Sequence, residues 1–316
     1  MPPASLSAKP LISPGPSAAR NAIRGSRERT AQRAESDRRR RIRRLMRGAL
    51  MGAAILDGLD RCVQLTGKEM DGTMTFPEPT SWQLEVARVV EVTPRMRRIE
   101  LTSPSLPTFS YLPGQDLALG LRRDDGSTVR RRYTIRRFSA AARMIELDVV
   151  MHGNGPGMRW AQAAAPGALV EAIGPRGKIT LFPDAGWHLF AGDATAVPGA
   201  LAMMEALPAR VAARGLLQVD DATEHQPVEL AGDKHVTWRY ALDGPAATNE
   251  LVGAMSDVVV PPGHGHAYLA GEVSLVMALK ATLLGRGWTS EQISAKAYWN
   301  RGRANADRGE PEQRAS

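Results

Sequence analysis

A segment in the middle of the chain, Arg131 to Arg136, carries residue types suited to holding a flavin dinucleotide. Its pattern is that of a β-strand, in which side chains alternate in direction, so Arg131 and Tyr133 are expected to share one face. A guanidinium can bind a pyrophosphate through two parallel hydrogen bonds, and a tyrosine ring can stack on an isoalloxazine ring. Thr134 is expected to donate a hydrogen bond to the reactive ring nitrogens. An exposed basic strand of a barrel is the alternative interpretation.

A glycine-rich segment, His152 to Ala161, follows a predicted strand and opens a short predicted helix. Gly153 and Gly155 permit a ligand to approach the backbone closely, and a helix N-terminus attracts phosphate. The glycine spacing differs from that of a dinucleotide-binding fingerprint, and the surrounding pattern is that of a β-barrel. A plain glycine-rich turn is the alternative.

Two segments in the second half of the chain pass from a predicted strand into a predicted helix, at residues 191–200 and 269–273. Open α/β sheets bind ligands at such positions. Gly192 and the helix beginning near Pro198 are suited to receive a nicotinamide dinucleotide. Glu272 suits a first helical turn because of the helix dipole, and it is also a candidate for the cleft. A plain strand-to-helix turn is the alternative for the first segment.

The last predicted strand ends in an aromatic pair and two arginines, at residues 298–303. Such an ending can close a flavin pocket, or it can cap the core of the domain. Both interpretations remain open from the residues alone.

The spacing of apolar residues predicts two domains. Between Trp82 and Ile173, short runs alternate apolar with polar residues as strands do, and their even spacing favours a small antiparallel barrel. After Pro183, strands and helices alternate, which predicts a parallel sheet with helices on both faces. The predicted boundaries are an extension over residues 1–75, a barrel over 76–183, an α/β domain over 184–303 and a flexible tail over 304–316.

The net charge of +8 comes from the N-terminal extension. Residues 1–69 contain 15 lysine and arginine residues against 6 aspartate and glutamate residues, so the rest of the chain is nearly neutral. Three interpretations remain open: a solvated helix or disordered segment, an extension upstream of a start at Met70 or Met74, and a segment that binds an anionic surface. Because no aromatic residues are interleaved with the arginines, nucleic acid is not an expected partner.

The cysteine content and the hydropathy of the chain exclude several kinds of cofactor and of cellular location. Cys62 is the single cysteine, so an intramolecular disulfide, an iron–sulfur cluster and a cysteine-based zinc site are excluded. Electron transfer would therefore use a bound organic cofactor. No apolar run reaches the roughly 18 residues of a membrane span. The N-terminus lacks the apolar stretch of a signal peptide, so the cytoplasm is the predicted location.

Taken together, these segments resemble the siderophore-interacting protein family, the FAD-dependent ferric-siderophore reductases. The strand from Arg131, the segment from His152 and a Gly-Pro-x-Gly turn at residues 174–177 carry the resemblance, with the segments at 191–200, 269–272 and 298–302. It covers roughly residues 82–303 and does not extend to residues 1–75. Ala194 stands where the family usually has glutamate, Asn300 replaces the first arginine of the ending, and the loop after His152 is one residue shorter than the common form.

The resemblance implies hydride transfer from NAD(P)H to FAD, followed by transfer of single electrons to Fe(III) held by a siderophore and release of Fe(II). The implied cofactor-binding residues are Arg131, Tyr133, Thr134, His152, Gly153, Gly155, Pro156, Trp160, Gly192, Asp193, Thr195, Ala196, Gly271, Glu272 and Trp299. The implied substrate-binding residues are Arg136, Arg301 and Arg303. No catalytic residue beyond the flavin and no metal site in the protein are expected.

The sequence leaves alternatives open for the electron donor and for the reaction. Asp220 and Asp221 end the second strand of the α/β domain, and an acid there disfavours a 2′-phosphate, which favours NADH over NADPH. A protein electron carrier is the alternative donor. The alternatives to a ferric-siderophore reductase are a general NAD(P)H flavin or quinone oxidoreductase and a non-catalytic siderophore-binding protein.

Overall fold

The computed structural model describes residues 78–153, 155–241 and 246–301, with the backbone alone for residues 246–249. The predicted extension over residues 1–75, Arg303 and the predicted tail over 304–316 lie outside the described residues. The barrel and the α/β part belong to one compact unit. The predicted boundary between residues 183 and 184 falls between the last barrel strand and the first strand of the parallel sheet.

The first part of the described chain forms a closed antiparallel barrel of six strands, which confirms the predicted architecture. The strands are β1 (Thr80–Thr93), β2 (Met96–Thr102), β3 (Asp116–Arg122), β4 (Thr128–Ser139), β5 (Met144–Val150) and β6 (Leu169–Arg176). They are hydrogen-bonded in the order β1-β2-β5-β4-β3-β6. Alternate residues point inward, so Leu84, Ile99 and Leu119 are fully buried in one apolar core.

The second part is a parallel sheet of five strands with helices on both faces, as the sequence predicted. Its elements are β7 (Trp187–Gly192), α2 (Val197–Ala206), β8 (Ala212–Val219), β9 (Lys234–Tyr240), α3 (Ala246–Asp257), β10 (Gly265–Glu272), α4 (Val273–Gly285) and β11 (Ile293–Trp299); the preceding helix α1 (Pro156–Ala163) lies between β5 and β6. Leu189 of β7 packs against α3 and α4, whereas the next residue, Phe190, packs on the opposite face with α2.

Short elements complete the described chain. Single turns of 3-10 helix lie at Leu106–Thr108, Ala222–Glu224 and Ser290–Gln292. Pro156 and Pro198 occupy the first turns of α1 and α2, where a missing N–H leaves no helical hydrogen bond unmade. Within the described ranges, no helix has both the length and the apolar composition needed to cross a bilayer.

Charged side chains join the barrel to α2. Arg136 of β4 is 4% exposed, and its Nη1 and Nη2 donate to the two oxygens of Glu205 at 2.8 and 2.6 Å. Arg137 donates to the same carboxylate at 3.3 Å. On the barrel side, Arg98 donates to the buried Asp148 through two hydrogen bonds of 2.7 and 2.9 Å. This network fixes α2 against β4.

Candidate functional site

The parallel sheet reverses its strand order at β7: β8 and β9 lie on one side of it, and β10 and β11 on the other. In open α/β sheets, ligands bind in the crevice at the carboxyl ends of the strands that flank such a reversal. Here the crevice lies between the sheet, the start of α2 and the barrel. Its lining includes Gly114 and Ile179 of the barrel side and Ala196, Gly199, Lys296 and Tyr298 of the α/β side.

Asp193, a predicted cofactor-binding residue, is the centre of a hydrogen-bond network at this crevice. Its Oδ1 accepts from the backbone N–H and the hydroxyl of Thr195, at 2.9 and 2.6 Å. Its Oδ2 accepts from the backbone N–H of Glu272 at 2.7 Å and from the indole Nε1 of Trp299 at 2.9 Å. One carboxylate therefore joins three predicted site segments: the β7–α2 loop, the start of α4 and the end of β11.

At two of the predicted glycine positions, close packing leaves no room for a side chain. A Cβ atom at Gly192 would lie 1.9 Å from the carbonyl oxygen of Ala270 on the neighbouring strand. Gly271 has a φ of +133°, and a Cβ atom there would lie 2.6 Å from the carboxylate of Asp193. The approach of β7 to β10 thus explains both positions. Contact of these loops with a nucleotide stays a prediction.

Glu272 is the N-cap of α4. Its Oε2 accepts from the backbone N–H groups of Ser274 and Leu275 at 2.6 and 3.2 Å, and its Oε1 accepts from that of Arg301 at 3.3 Å. Burial alone would raise the pKa of the Glu272 carboxyl, but these hydrogen bonds outweigh burial and lower the pKa. Backbone N–H groups of the protein thus bind both oxygens of the Glu272 carboxylate. The contact of Glu272 with a cofactor stays a prediction.

Three predicted residues from the barrel and the chain's last strand converge next to this network. The rings of His152 and Trp299 have their centroids 5.3 Å apart. The guanidinium carbon of Arg301 lies 5.9 Å from the centre of the Trp299 ring. Because Trp299 is also bound to Asp193, the aromatic end of β11 is held against the barrel.

Arg131 and Tyr133 lie beside the start of α1. A Cβ atom at Gly157 in the first turn of α1 would lie 2.3 Å from the Tyr133 hydroxyl and 3.7 Å from Cγ of Arg131. The Tyr133 and Trp160 rings have their centroids 5.8 Å apart. Burial raises the pKa of Tyr133, which keeps its hydroxyl protonated.

The N-terminus of α1 is open. Gly155 is its N-cap, and no described side chain caps the helix there. Apart from the adjacent residues of the chain, no described heavy atom lies within 4 Å of a Cβ position built on Gly153 or Gly155. Gly153 has a φ of +69°, which glycine adopts without strain. The N–H groups of the first turn are therefore available to an anion.

The basic side chain of Arg131 lies beside the first turn of α1, since its Cγ is 3.7 Å from a Cβ position built on Gly157. Its side chain is half-buried, and its Nη1 donates to the carbonyl oxygen of Arg130 at 2.9 Å. Burial lowers the pKa of Arg131 because it disfavours the charged form, and no ion pair with a described carboxylate offsets this effect. A half-buried guanidinium of this kind favours an anionic ligand.

Thr134 lies at the junction of the barrel and the crevice. A Cβ atom at Gly199 of α2 would lie 3.3 Å from its methyl group. Its hydroxyl is hydrogen-bonded to Tyr298 of β11, whose pKa is raised by burial. The predicted hydrogen bond from Thr134 to a flavin ring stays a prediction.

One charged cluster at the crevice was missed from the sequence. Arg132 donates to both oxygens of Asp116 at 2.8 Å, and Nζ of Lys296 lies 3.5 Å from the same carboxylate. Arg132 and Asp116 are diagonal neighbours on one face of β3 and β4, so a strand pattern could have indicated this pair. Lys296 comes from β11, and no local pattern links it to them.

The prediction that Arg136 binds substrate is wrong. Its guanidinium is buried against Glu205, and Nε lies 3.8 Å from Asp148. Ile135 belongs to the barrel core, whereas the next residue, Arg136, faces α2 on the other side of β4. Because α2 covers the outer face of β4, both consecutive residues are buried.

An antiparallel barrel of six strands, followed by a parallel α/β layer with a crevice at its strand reversal, defines the ferredoxin-reductase-like class. The ferredoxin reductase of carbazole 1,9a-dioxygenase shares this fold, with 19% identity, a TM-score of 0.57 and 70% of both chains covered. At that identity the likeness shows the fold alone.

The chain belongs to the siderophore-interacting protein family. Residues 185–302 match the model of the siderophore-interacting protein, and residues 118–179 match that of the siderophore-interacting FAD-binding domain. Ferric vibriobactin reductase of Vibrio cholerae is 30% identical over 243 residues, which cover 70% of this chain and 89% of that protein. The crystal structure of a siderophore utilization protein from T. fusca is 29% identical, with a TM-score of 0.68, and 74% of this chain and 98% of that one are covered.

Proposed function

We propose that this protein is an FAD-dependent reductase that passes electrons from a nicotinamide dinucleotide to a ferric siderophore. The observation that carries the proposal is Arg131, half-buried without a described carboxylate partner beside the open N–H groups of α1. Tyr133 lies next to it on the same strand face. The family models and the likeness to ferric vibriobactin reductase support the same conclusion.

The residues present fit FAD. Arg131 and the first turn of α1 are suited to bind the diphosphate, and Tyr133 offers a ring for stacking. Thr134 lies where the barrel meets the crevice, and the rings of His152 and Trp299 lie 5.3 Å apart between the barrel and the end of β11. FAD, when bound, supplies the conversion of a two-electron hydride into single-electron transfers. No acid–base residue is required of the protein.

The substrate side of the proposal rests on charge. Many iron-binding siderophore groups are anionic hard oxygen ligands, which suit a basic surface. Arg301 is exposed, and its guanidinium carbon lies 5.9 Å from the centre of the Trp299 ring at the end of β11. Arg303, outside the described residues, is proposed to extend that surface. Iron enters the reaction as cargo of the siderophore.

The nicotinamide dinucleotide is proposed to bind at the strand reversal, where the loops after β7 and β10 meet. NADH is the preferred donor in this proposal because two acids, Asp220 and Asp221, directly follow β8. A protein electron carrier is the competing donor. The proposal also places the protein in the cytoplasm, where reduced pyridine nucleotides are produced.

The visible spectrum of the purified protein tests this function. The anaerobic protein is mixed first with NADH or NADPH and then with a ferric siderophore. The expected result is a flavin spectrum that bleaches with the nucleotide and returns with the iron complex. If dithionite bleaches the flavin but neither NADH nor NADPH does, the electron donor is a protein carrier and not a nicotinamide nucleotide. A colourless protein that cannot be loaded with FAD would contradict the reductase proposal and leave a non-catalytic siderophore-binding protein as the alternative.

Replacing Tyr133 by alanine is expected to weaken FAD binding by about 2 kcal/mol, or about 30-fold, because the stacking ring is lost. The measurement is a fluorescence titration of the deflavinated protein with FAD. Tyr133→Phe is the matched control, since it keeps the ring and removes the hydroxyl, and we expect it to bind FAD nearly as well as the unchanged protein. Equal affinity of the alanine variant and the unchanged protein would refute the stacking role.

A further inference from the structure

Residues 177–186, the linker, connect the last barrel strand to the first strand of the parallel sheet. Two of its apolar side chains, Ile179 and Leu181, pack against the cluster that contains Phe190 and Tyr268 on one face of the sheet. Ile179 also lines the crevice. The linker is therefore part of the wall of the crevice, and its attachment to the sheet keeps that wall in place.

Two contacts attach Phe182 of the linker to β10. The backbone N–H of Phe182 donates to the hydroxyl oxygen of Tyr268 at 2.7 Å. The Phe182 ring stacks on the imidazole of His266, with ring centroids 4.8 Å apart and planes 11° apart. Because the Phe182 side chain is 36% exposed, these contacts hold it on the sheet without deep burial.

The Tyr268 hydroxyl is shared between the linker and a buried histidine of β7. Nδ1 of His188, a residue that is 2% exposed, lies 3.3 Å from the hydroxyl oxygen. Since that oxygen already accepts from Phe182, the Tyr268 proton is directed at His188 Nδ1, which is then the acceptor nitrogen of a neutral imidazole. Burial raises the pKa of Tyr268, so its hydroxyl keeps the proton. A proton on His188 Nδ1 would oppose the hydroxyl proton and disrupt the hydrogen bonding that anchors Phe182.

His266, the ring beneath Phe182, is also arranged to stay neutral. It is 3% exposed, and its Nε2 lies 2.9 Å from the hydroxyl of Ser294 on β11. Its Nδ1 is buried and has no hydrogen-bond partner among the described residues. A second proton on this imidazole would have to occupy Nδ1, where a buried cationic N–H would find no acceptor. Protonation of His266 is therefore costly while the linker covers the ring.

Nothing in the surroundings of the two imidazoles compensates a positive charge. Burial lowers the pKa of His188 to about 4, and the nearby His266 adds to the effect. Burial also lowers the pKa of His266, to which His264 adds. No described carboxylate contributes to either lowered pKa, and the neighbours from β11 and the linker, Ser294 and Phe182, do not titrate.

We propose that His188 and His266 form an acid-sensitive latch, which holds Phe182 and the linker on the sheet when both rings are neutral and releases the linker when they take up protons. Once the linker has moved away, both imidazoles are hydrated and have the ordinary histidine pKa of about 6.5. The open state then binds more protons than the closed one. The closed state is consequently fully favoured above about pH 6.5 and loses its advantage as the pH falls below it. Because Ser294 and Ile179 both line the crevice, release of the linker opens the crevice to solvent.

Hydrogen–deuterium exchange of the purified full chain, read by mass spectrometry at pH 7.5 and pH 5, tests the latch. The amides of the linker are compared with those of β2, after correction for the intrinsic pH dependence of exchange. The opening equilibrium of the linker is expected to rise by about tenfold or more between the two pH values, while β2 stays protected. Exchange that rises equally in the linker and in β2 is global unfolding and would overturn the proposal, as would a linker that does not respond to pH.

A double variant assigns the pH response to the two histidines. His188→Gln offers an amide oxygen to Tyr268, His266→Phe offers a ring to Phe182, and neither new side chain takes up a proton. The linker opening of the double variant is expected to change by less than about twofold between the two pH values. His235→Gln is the matched control, since His235 is exposed on β9 beside Asp233, and the full response is expected to remain. A double variant that keeps the full response would refute the latch.

Tyr268→Phe tests the anchor with both histidines in place. It keeps the ring and removes the hydroxyl that accepts from the Phe182 N–H. The linker opening is expected to rise by about fivefold at pH 7.5, where both imidazoles are neutral, through loss of this hydrogen bond. Equal linker exchange in Tyr268→Phe and the unchanged protein at pH 7.5 would also reject the proposal, and this comparison decides it even if the double variant does not fold.

Discussion

Replacing Glu205 by glutamine is expected to lower the free energy of unfolding by about 3 kcal/mol, because it leaves the buried Arg136 guanidinium without its main counter-charge. Arg136 is 4% exposed, and both of its terminal nitrogens donate to Glu205. Breaking one partner of a buried pair typically costs about 3–5 kcal/mol. The lower end applies here because Asp148 still lies 3.8 Å from Nε of Arg136. Chemical denaturation of the flavin-loaded protein at pH 7 measures the loss.

Two variants separate the buried charge from other effects. Glu91→Gln breaks an exposed pair, since the Glu91 side chain is 76% exposed and lies 3.3 Å from Arg97, and it is expected to cost under about 1 kcal/mol. Combining Arg136→Met with Glu205→Leu removes both charges and is expected to recover most of the stability lost in Glu205→Gln. A loss in Glu205→Gln no larger than that in Glu91→Gln would contradict the role of the network.

The same pair predicts a dependence of stability on pH. Burial would raise the pKa of Glu205, but the hydrogen bonds and charges of Arg136 and Arg137 outweigh burial and lower the pKa. A lowered pKa in the folded protein stabilises it above the unfolded value, about 4.3 for glutamate, and this stabilisation is lost as the pH falls through the folded value. Denaturation curves between pH 7 and pH 3 should therefore show a shallower acid limb in Glu205→Gln than in the unchanged protein.

The sequence was sufficient for the architecture because its signals are local. Period-two alternation from Trp82 and the strand–helix rhythm after Pro183 indicate a barrel and a parallel sheet without knowledge of any distant contact. The error at Arg136 has a different origin, because its burial depends on the packing of α2 against the outer face of β4. The partner Glu205 lies on a helix of the other layer, which no strand pattern specifies.

The candidate site was predictable as a set of segments but not as a set of contacts. The sequence marked Asp193, Glu272 and Trp299 separately as cofactor residues, and the structure binds them to one another. A polar residue at a strand end has the same sequence pattern whether its partner is a ligand or another loop. Only the fold distinguishes these, because it decides which loops meet. Lys296 was missed for this reason, since no pattern within β11 indicates the Asp116–Arg132 pair of the barrel beside it.

Replacing Arg131 by alanine is expected to weaken FAD binding by about 1.5–3 kcal/mol, or about 10- to 150-fold, through loss of a charge-assisted contact with the diphosphate. The expectation follows from the position of the Arg131 side chain beside the start of α1, which no described side chain caps. Burial disfavours its charged form, so an anion that restores the balance gains affinity. Removal of the side chain leaves the helix N–H groups as the remaining anion contacts.

Arg130, the neighbouring arginine, provides the control for the contribution of Arg131 to FAD binding. Arg130 lies on the opposite strand face and is exposed, and Arg131 contacts only its carbonyl oxygen, so Arg130→Ala removes the same net charge without touching the proposed site. Arg131→Lys keeps the charge but cannot form bidentate hydrogen bonds with the diphosphate, and it should give an intermediate affinity for FAD. FAD titration of the deflavinated variants at two salt concentrations measures all three. If Arg130→Ala and Arg131→Ala lose affinity equally, the effect is a general field of the basic strand, and the specific contact of Arg131 with the diphosphate is rejected.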